Sequence, residues 1–411
     1  MINNLAVSLA EAFKFSDIAV SLLSLFLLTA LFQRLTNKGP MLWPVVGIFP
    51  TLFFHVHHIF DWATDCLIRC GGTFHYRGLS IGGSHGIVTV DPSNIEYILK
   101  TQFNNFPKGQ YYRERFSDLL RDGIFNSDDE KWKEQRRAIT SEMHSTSFVE
   151  YSLQTARDMV HQKLLKLIEK HVASGKAVDL QDVLLRFTFD NICMVAFGVD
   201  TGCLAVHLPD IPFARAFEQA TELTLWRFLV PPFVWKTTRF FRVGPERRLE
   251  EAVRTVHDFA AKTVADRRIG YLFTDRFDLL SRLMKVPDEQ GKAEKFSEYL
   301  EDFCISLILA GRDTSSVALT WFFWLIYNHP HVETRILDEI NAVVTQRRSA
   351  EGEEVMKMVA ASVLVRYSVE VIQSETVIPK LTTTLYMRNG LWVTFKPRPR
   401  STIPPQEILF H

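Results

Sequence analysis

The chain has 411 residues, enough for one large hydrophobic core or two domains, and 47% hydrophobic with 12% aromatic residues supply such a core. Its 47 basic and 47 acidic residues cancel, which excludes an overall field that attracts nucleic acid, so we expect no nucleic-acid partner. Five cysteines, mostly inside apolar stretches, are typical of reduced thiols in a cytosol-facing protein.

An uncharged run near the N-terminus, IAVSLLSLFLLTALF, covers residues 18–32. It is shorter than the ~20 residues that span a bilayer, but Gln33 and the long side chain of Arg34 extend it. Arg34 and Lys38 follow the run, so the positive-inside rule places the rest of the chain in the cytosol. We predict a single-pass signal anchor over residues 1–36. A cleaved secretory signal is the alternative, and the long, acidic segment before the run counts against it.

A stiff connector follows, with Gly39-Pro40 and Trp43-Pro44 in the stretch NKGPMLWPVVG, residues 37–47. Proline fixes φ and removes a backbone donor, so this stretch is not helical. By itself, such a stretch is an ordinary linker. Because this one follows a predicted anchor, it indicates an enzyme tethered to the endoplasmic reticulum membrane by its N-terminus.

Two cysteines, Cys66 and Cys70, stand one helical turn apart, close in sequence to three histidines at positions 55, 57 and 58. A metal site is one interpretation, and a packed helix with two small thiols is the other. One turn between cysteines is an unusual zinc spacing, so we predict the packed helix and no metal ligands.

A small sheet and several helices come next. The strands are predicted in TFHYRG (73–78) and GIVTV (86–90), and Asp91 with Pro92 opens a helix as cap and first-turn residue. Apolar periodicity then predicts helices over 148–172, 180–197 closed by Gly198, and 246–269.

The C-terminal stretch LTTTLYMRNGLWVTFKP, residues 381–397, alternates apolar and polar residues on both sides of Asn389-Gly390. This pattern predicts a hairpin with a two-residue turn. The fold class is therefore mainly α, with small β-sheets at the two ends of the chain.

A long apolar helix is predicted over residues 297–327, and AGRDTSS (310–316) interrupts it at its midpoint. At ~1.5 Å per residue the helix is more than 40 Å long, enough to cross a large domain. Arg312 and Asp313 argue against a membrane span.

The interruption has a chemical and a structural interpretation. Gly311 lacks a side chain, and the Thr314 hydroxyl can turn toward the carbonyl of Ala310, loosening the helix into a shallow groove for a diatomic ligand. Asp313 can pass protons inward from solvent, and Thr314 offers a hydroxyl beside the groove. The alternative is a polar kink that serves packing.

A second motif, KWKEQRRAI over residues 131–139, places Trp132 and Arg136 on one helix face. An indole N–H beside a guanidinium can bind carboxylates, and arginine does so in a bidentate manner. Alone, such a pair is more often part of a solvated face.

These features, in this order along the chain, resemble the cytochrome P450 family of heme-thiolate monooxygenases. The stretches DGIFNSDDEKWKEQRRAITSEMH and LILAGRDTSSVALTWFFWL resemble in particular the plant long-chain fatty-acid omega-hydroxylases. The resemblance implies a cytochrome P450-like α-helical fold with heme against the central helix. It implies that Trp132 and Arg136 hold the heme propionates, and that oxygen binds at Ala310 and Gly311. Asp313 and Thr314 would then deliver protons.

The resemblance fails where the family binds iron. Its axial ligand is a cysteine thiolate in a Phe-x-x-Gly-x-Arg-x-Cys-x-Gly loop after the central helix, and no cysteine follows Cys304 here. The family's Glu-x-x-Arg motif is also absent after that helix. The joining stretch TQRRSAEGEEV, about residues 345–355, stands where both should be.

We therefore predict a membrane anchor (1–36), an internally truncated cytochrome P450 domain (37–398) and a tail (399–411). The first hypothesis is an inactive relative of a fatty-acid omega-hydroxylase, with a fatty-acid substrate and an NADPH-dependent reductase as the family's partners. The second is a non-catalytic, membrane-anchored protein that binds lipid or another protein. A working oxygenase with an unusual ligand is the third.

Overall fold

The computed structural model describes residues 15–78, 85–270, 277–285, 299–345, 355–374 and 377–399. The first residues of the predicted anchor, most of the joining stretch and the tail beyond residue 399 lie outside these ranges. The helices are α1 (Phe15–Thr36), α2 (Phe49–His55), α3 (Ile59–Arg69), α4 (Pro92–Glu96), α5 (Gly109–Leu120), α6 (Asp129–Met143), α7 (Thr146–Met159), α8 (Leu165–Ser174), α9 (Leu180–Phe197), α10 (Pro212–Leu229), α11 (Pro232–Phe240), α12 (Gly244–Gly270), α13 (Leu279–Lys285), α14 (Leu300–Ile308), α15 (Thr314–Asn328), α16 (Pro330–Thr345) and α17 (Val355–Leu364). The strands are β1 (Thr73–Arg77), β2 (His85–Thr89), β3 (Val178–Asp179), β4 (Tyr367–Val371), β5 (Pro379–Leu381), β6 (Leu385–Met387) and β7 (Trp392–Pro397).

The chain divides into two compact units, Met1–Pro107 with Leu225–Arg247, and Lys108–Thr224 with Arg248–His411. We call them unit 1 and unit 2. The fold is mainly helical with small sheets, as the sequence predicted.

In unit 1, α1 is long and apolar enough to cross a membrane. Its 22 residues span ~33 Å, against ~30 Å of bilayer hydrocarbon. The window Ala19–Thr36 has a mean hydropathy of 1.6 and is only 6% buried. Length, composition and exposure are thus compatible with a membrane anchor.

The connector is tied to the end of α1. The Gln33 amide donates to the Leu42 carbonyl (2.6 Å) and accepts from the Leu42 backbone N–H (2.9 Å). The rings of Phe26 and Trp43 stack with centroids 5.0 Å apart. These contacts hold the connector against the end of α1.

The predicted small sheet and helix cap of unit 1 are confirmed. Strands β1 and β2 pair antiparallel, with Thr73 opposite Thr89. The Asp91 carboxylate accepts from the backbone N–H groups of Ser93 (2.8 Å) and Asn94 (3.3 Å). Cys66 is buried in α3 as predicted, and no group of three candidate metal ligands occurs within the described ranges.

Unit 2 confirms the predicted central helices. The predicted helix 148–172 is α7 and α8 joined by a π-helical turn, Val160–Leu164. The predicted helix 180–197 is α9, which ends at Gly198 with φ 58°. Helix α9 packs along α14 and α15. The main hydrophobic core lies between α7, α8, α9, α15, α17 and the sheet β3-β7-β4.

The predicted hairpin around Asn389-Gly390 is wrong. Strand β6 pairs with β5, while β7 pairs with β3 and β4 in a different sheet. Gly390 has φ 71°, and a Cβ there would collide with the Asp179 carboxylate, which accepts the Leu391 N–H (2.8 Å). Asn389-Gly390 therefore connects two sheets, and the glycine permits the close approach of Asp179.

A buried histidine links α12 to the end of α5 in unit 2. His257 is 8% exposed, and its Nε2 lies 2.9 Å from the Asp118 carbonyl. Its Nδ1 has no hydrogen-bond partner within the described ranges. Burial lowers the pKa of His257 below its ordinary 6.5, although the Asp118 carbonyl and Glu301 oppose the shift.

His257 should make the protein less stable in mild acid. Below pH 6.5 the unfolded chain protonates this imidazole more readily than the folded chain, so stability falls as pH falls through that value. We expect His257→Gln to flatten this loss in denaturant titrations between about pH 8 and pH 5. The exposed His144→Gln variant controls for the loss of one imidazole from the chain, and equal slopes for wild type and His257→Gln would contradict the assignment.

Candidate active site on the central helix

The central helix changes its winding at the predicted interruption. It runs as α14, a π-helical turn over Leu309–Asp313, and α15. The Thr314 hydroxyl donates to the Ala310 carbonyl over 2.6 Å, which confirms the predicted contact. A π-helical turn contains one extra residue and interrupts the regular backbone hydrogen bonds of the α-helix. Carbonyl groups in this turn therefore need other hydrogen-bond donors.

The hydroxyl groups of the motif supply those donors. Ser316 donates to the carbonyls of Arg312 (2.8 Å) and Asp313 (3.0 Å). Thr188 on α9 also donates to the Arg312 carbonyl, over 2.7 Å. The polar residues of AGRDTSS thus satisfy the backbone of the widened turn.

Gly311 faces a neighbouring helix. A Cβ at position 311 would lie 2.7 Å from Cδ1 and Cγ1 of Ile192 on α9, and 3.0 Å from its Cβ. The space left by the missing side chain is therefore filled by Ile192. This part of the turn serves helix packing, and a groove would be bordered by the half-buried Ala310 and the exposed Thr314.

Arg312 and Asp313 form a buried ion pair. Arg312 is 4% exposed and Asp313 1%, and Arg312 Nη1 lies 2.9 Å from Asp313 Oδ1. The Tyr386 hydroxyl on β6 lies 3.4 Å from the same Nη1 and also bonds Asp313. Burial raises the pKa of Asp313, while the Arg312 guanidinium and the Tyr386 hydroxyl limit the rise.

The structure places the two predicted proton-transfer residues on different faces. The Asp313 carboxylate lies inside the ion-pair cluster, whereas Thr314 is exposed. On the buried side, Arg312 lines a cleft of about 190 Å³ that Leu185, Arg186 and Glu218 also line. Arg312 Nε has no hydrogen-bond partner within the described ranges. Sequence reasoning missed Tyr386, Ile192 and Thr188, which lie far away along the chain.

Trp132 and Arg136 lie one turn apart on α6, as predicted. Trp132 is half-buried, with the Lys108 ammonium 5.7 Å from its ring centre. Arg136 is exposed, and no hydrogen bond or ion pair joins it to the described part of the chain. The guanidinium is thus open to a carboxylate.

A family profile described as cytochrome P450 matches residues 38–385 of this sequence. The chain belongs to the cytochrome P450 family.

Three relatives show the extent of the match. Cytochrome P450 86B1 of Arabidopsis thaliana is 44% identical over 334 residues, which are 79% of this chain and 59% of that protein. Cytochrome P450 94B1 of Arabidopsis thaliana is 38% identical over 74% of this chain and 59% of that protein. Alkane hydroxylase MAH1 of the same plant is 31% identical, covering 77% and 66%. The chain thus spans less than two thirds of each relative's length.

A solved structure shows the same fold. The heme domain of cytochrome P450DA superposes with a TM-score of 0.65, over 90% of this chain and 98% of that one. The sequences are 15% identical, so this likeness concerns the P450 fold alone.

Four of the five cysteines of this P450 do not fit the family's heme ligand. Burial raises the pKa of Cys66, Cys193 and Cys304, and raises that of Cys203 to about 11. Nearby carboxylates such as Asp190 add to the rise for Cys193 and Cys203. All four are at most 1% exposed, so packed side chains cover the sulfurs that an iron atom would have to reach. The exposed Arg136 beside Trp132 suits the propionates, but these four buried thiols do not suit the iron.

Proposed function

We propose that this chain is a catalytically incompetent P450 related to the membrane-bound omega-hydroxylases of long-chain fatty acids. The observation that carries the proposal is the cysteine inventory. No cysteine follows the central helix in the sequence, and the cysteines at positions 193, 203 and 304 are buried thiols with raised pKa values. Without an electron-donating thiolate, the oxygen chemistry of the family should not proceed.

The lipid part of the proposal is supported by the relatives and by α1. One relative is named an alkane hydroxylase, and alkanes share the long apolar chain of fatty acids. Helix α1 is compatible with an anchor, which would hold the chain at a lipid surface. We propose single-pass anchoring in the endoplasmic reticulum membrane with the remaining chain in the cytosol. An NADPH-dependent reductase would be the partner of an active relative.

Six residues of this sequence resemble the residues with which the family binds heme propionates and oxygen. Trp132 and Arg136 remain our candidates for binding heme propionates, and Ala310, Gly311, Asp313 and Thr314 for the oxygen side. The buried Asp313 pair and the filled space beside Gly311 support a structural use of two of these residues in the present chain.

A carbon monoxide difference spectrum tests the proposal. The full chain, expressed with excess heme and reduced, should give no thiolate-type Soret band and should not hydroxylate a long-chain fatty acid with a plant reductase. Cytochrome P450 86B1 prepared in parallel is the positive control. A thiolate-type band would sink the proposal, and its loss in Cys193→Ser or Cys304→Ser would then identify the ligand.

The genomic DNA between the codons for Arg348 and Met356 gives an independent test of the truncation. We expect an open exon there that encodes Glu-x-x-Arg and the cysteine loop. Restoring it to the cDNA should restore the thiolate band. Contiguous coding DNA at this point would show that the short form is the gene's own product.

A further inference from the structure

The cleft beside Arg312 is built entirely within unit 2. Helix α9, helix α10 and the loop between them form its walls, and Arg312 lines it from the π-helical turn of the central helix. Part of the lining is deeply buried, since Arg312 is 4% exposed and both Phe189 and Cys203 are 1% exposed. The volume of about 190 Å³ lies below the ~300–1,000 Å³ of pockets for drug-sized ligands, so the cleft suits a small molecule.

One edge of the Arg312 guanidinium is unused. Within the described ranges its hydrogen bonds use Nη1, toward the Asp313 carboxylate (2.9 Å) and the Tyr386 hydroxyl (3.4 Å), and Nε has no partner. Nε and Nη2 form an edge with which arginine binds a carboxylate through two parallel hydrogen bonds. A buried donor without a partner costs free energy, so an acceptor at this edge would stabilise the protein.

Glu218 supplies a second unpaired charge in the same cleft. It is half-buried on α10, and its carboxylate makes no ion pair or hydrogen bond with the described part of the chain. The other two acidic residues of the cleft are paired, Asp182 with Arg186 (2.7 Å) and Asp210 with Arg215. Glu218 is thus the carboxylate that remains for a positive group of a ligand.

The two unpaired groups can act on one ligand. Burial lowers the pKa of Arg312, but Tyr386, Asp313 and Glu218 raise it by more and hold the pKa above its usual range. Glu218 therefore lies within electrostatic reach of the guanidinium, although no ion pair joins the two side chains within the described ranges. A ligand between them needs a carboxylate for Arg312 and an ammonium group for Glu218, and an amino acid carries both groups.

The remaining lining of the cleft is largely apolar. Leu185 and Phe189 of α9 belong to it, at 7% and 1% exposed, together with Ile211 and Ala214 near the start of α10. Such side chains favour contact with an aliphatic group over contact with water. The cleft thus combines two opposite unpaired charges with an apolar surface for a short side chain.

We infer that this cleft binds a small amino acid with an aliphatic side chain, whose carboxylate bonds the Nε–Nη2 edge of Arg312 and whose ammonium group pairs with Glu218. The candidate heme and oxygen residues do not line the cleft, so the inference holds whether or not the chain binds heme. Because the ligand completes the hydrogen bonding of a buried guanidinium, it should also stabilise the folded chain.

Saturation-transfer NMR on the full chain in lipid nanodiscs measures the binding of matched probes, with empty nanodiscs as the blank. L-Norvaline carries both charged groups, pentanoate lacks the ammonium group, and butylamine lacks the carboxylate. We expect norvaline to bind, and each of the other probes to bind about tenfold or more weakly, because each leaves one charge of the cleft unpaired.

Substitutions on α10 assign the binding to the cleft. Glu218→Gln should weaken norvaline binding about tenfold and leave pentanoate binding unchanged or tighter, because the repelling carboxylate is gone. Ala214→Phe should abolish norvaline binding by filling the cleft. Glu222→Gln is the matched control and should bind as wild type, because Glu222 lies one turn further along α10, pairs with Lys380 (3.0 Å) and does not line the cleft. Melting curves without ligand check that each variant is folded.

The outcomes that would overturn the inference are distinct. A wild-type chain that binds none of the probes would mean that the cleft holds water alone. Pentanoate bound as tightly as norvaline would indicate a plain anion site, and equal losses in Glu218→Gln and Glu222→Gln would indicate a nonspecific effect of charge. The comparison of the probes needs no substitution, so it decides the inference even if Glu218→Gln does not fold.

Discussion

Asp313→Ala should destabilise the protein by about 3–5 kcal/mol, because it leaves the Arg312 guanidinium buried without its carboxylate. The two side chains are 5% and 1% exposed, and their charged atoms lie 2.9 Å apart. Equilibrium denaturation in detergent measures the loss of unfolding free energy. If Asp313 were a solvent-linked proton carrier with little structural role, the same variant would change stability by less than about 1 kcal/mol.

A double substitution distinguishes the cost of an unpaired buried charge from the cost of losing the ion pair as a whole. Arg312→Met with Asp313→Leu removes both charges together, and replacing a buried pair by apolar residues is often neutral or stabilising. We therefore expect the double variant to recover most of the stability lost in Asp313→Ala. Asp182, 45% exposed in its pair with Arg186, is the matched control. Asp182→Ala should cost below about 1 kcal/mol, and a loss equal to that of Asp313→Ala would contradict the role of burial.

Gly311→Ala should destabilise the protein although alanine is the better helix former. Helix propensity alone favours alanine by about 1 kcal/mol. The new Cβ would lie 2.7 Å from two Ile192 side-chain carbons and 3.0 Å from its Cβ. The Ile192 Cβ is fixed to the backbone of α9, so the helices must separate, and overpacking of this kind costs about 1–3 kcal/mol.

In a chain that already carries Ile192→Ala, we expect Gly311→Ala to raise the stability instead of lowering it. Once the isoleucine carbons are gone, the alanine at position 311 has space, and its helix propensity should make the double variant more stable than Ile192→Ala alone. Thermal melting of the four proteins measures both effects. A Gly311→Ala chain more stable than wild type would show that the space beside Gly311 is open, as a groove for a small ligand requires.

Features set by neighbouring residues could be predicted from the sequence. Local periodicity and capping chemistry determine the extent of α1, the cap at Asp91 and the end of α9 at Gly198. All three lie where the sequence pattern predicted them. The loosened turn was predictable as well, because a hydroxyl four residues after a carbonyl reaches it within the same helix. Membership of the P450 family followed from motifs in a fixed order.

Long-range contacts decided the rest. The alternation around Asn389-Gly390 fits a hairpin, but β7 pairs with β3 and β4 because the buried Val393 and Phe395 face the main core. The pairing of a strand depends on the surface that its apolar face covers, which a local pattern does not specify.

The same distinction applies to AGRDTSS. The sequence alone predicts that the central helix is loosened at this motif, because the Thr314 hydroxyl can donate to the Ala310 carbonyl within one turn. The contacts of each side chain depend on the elements that pack around the helix. Gly311 meets Ile192, and Asp313 meets Arg312 and Tyr386, while Thr314 stays exposed. Helical spacing fixes the angle between neighbouring side chains, but the helices and strands packed around them determine whether each one is buried, paired or open to solvent.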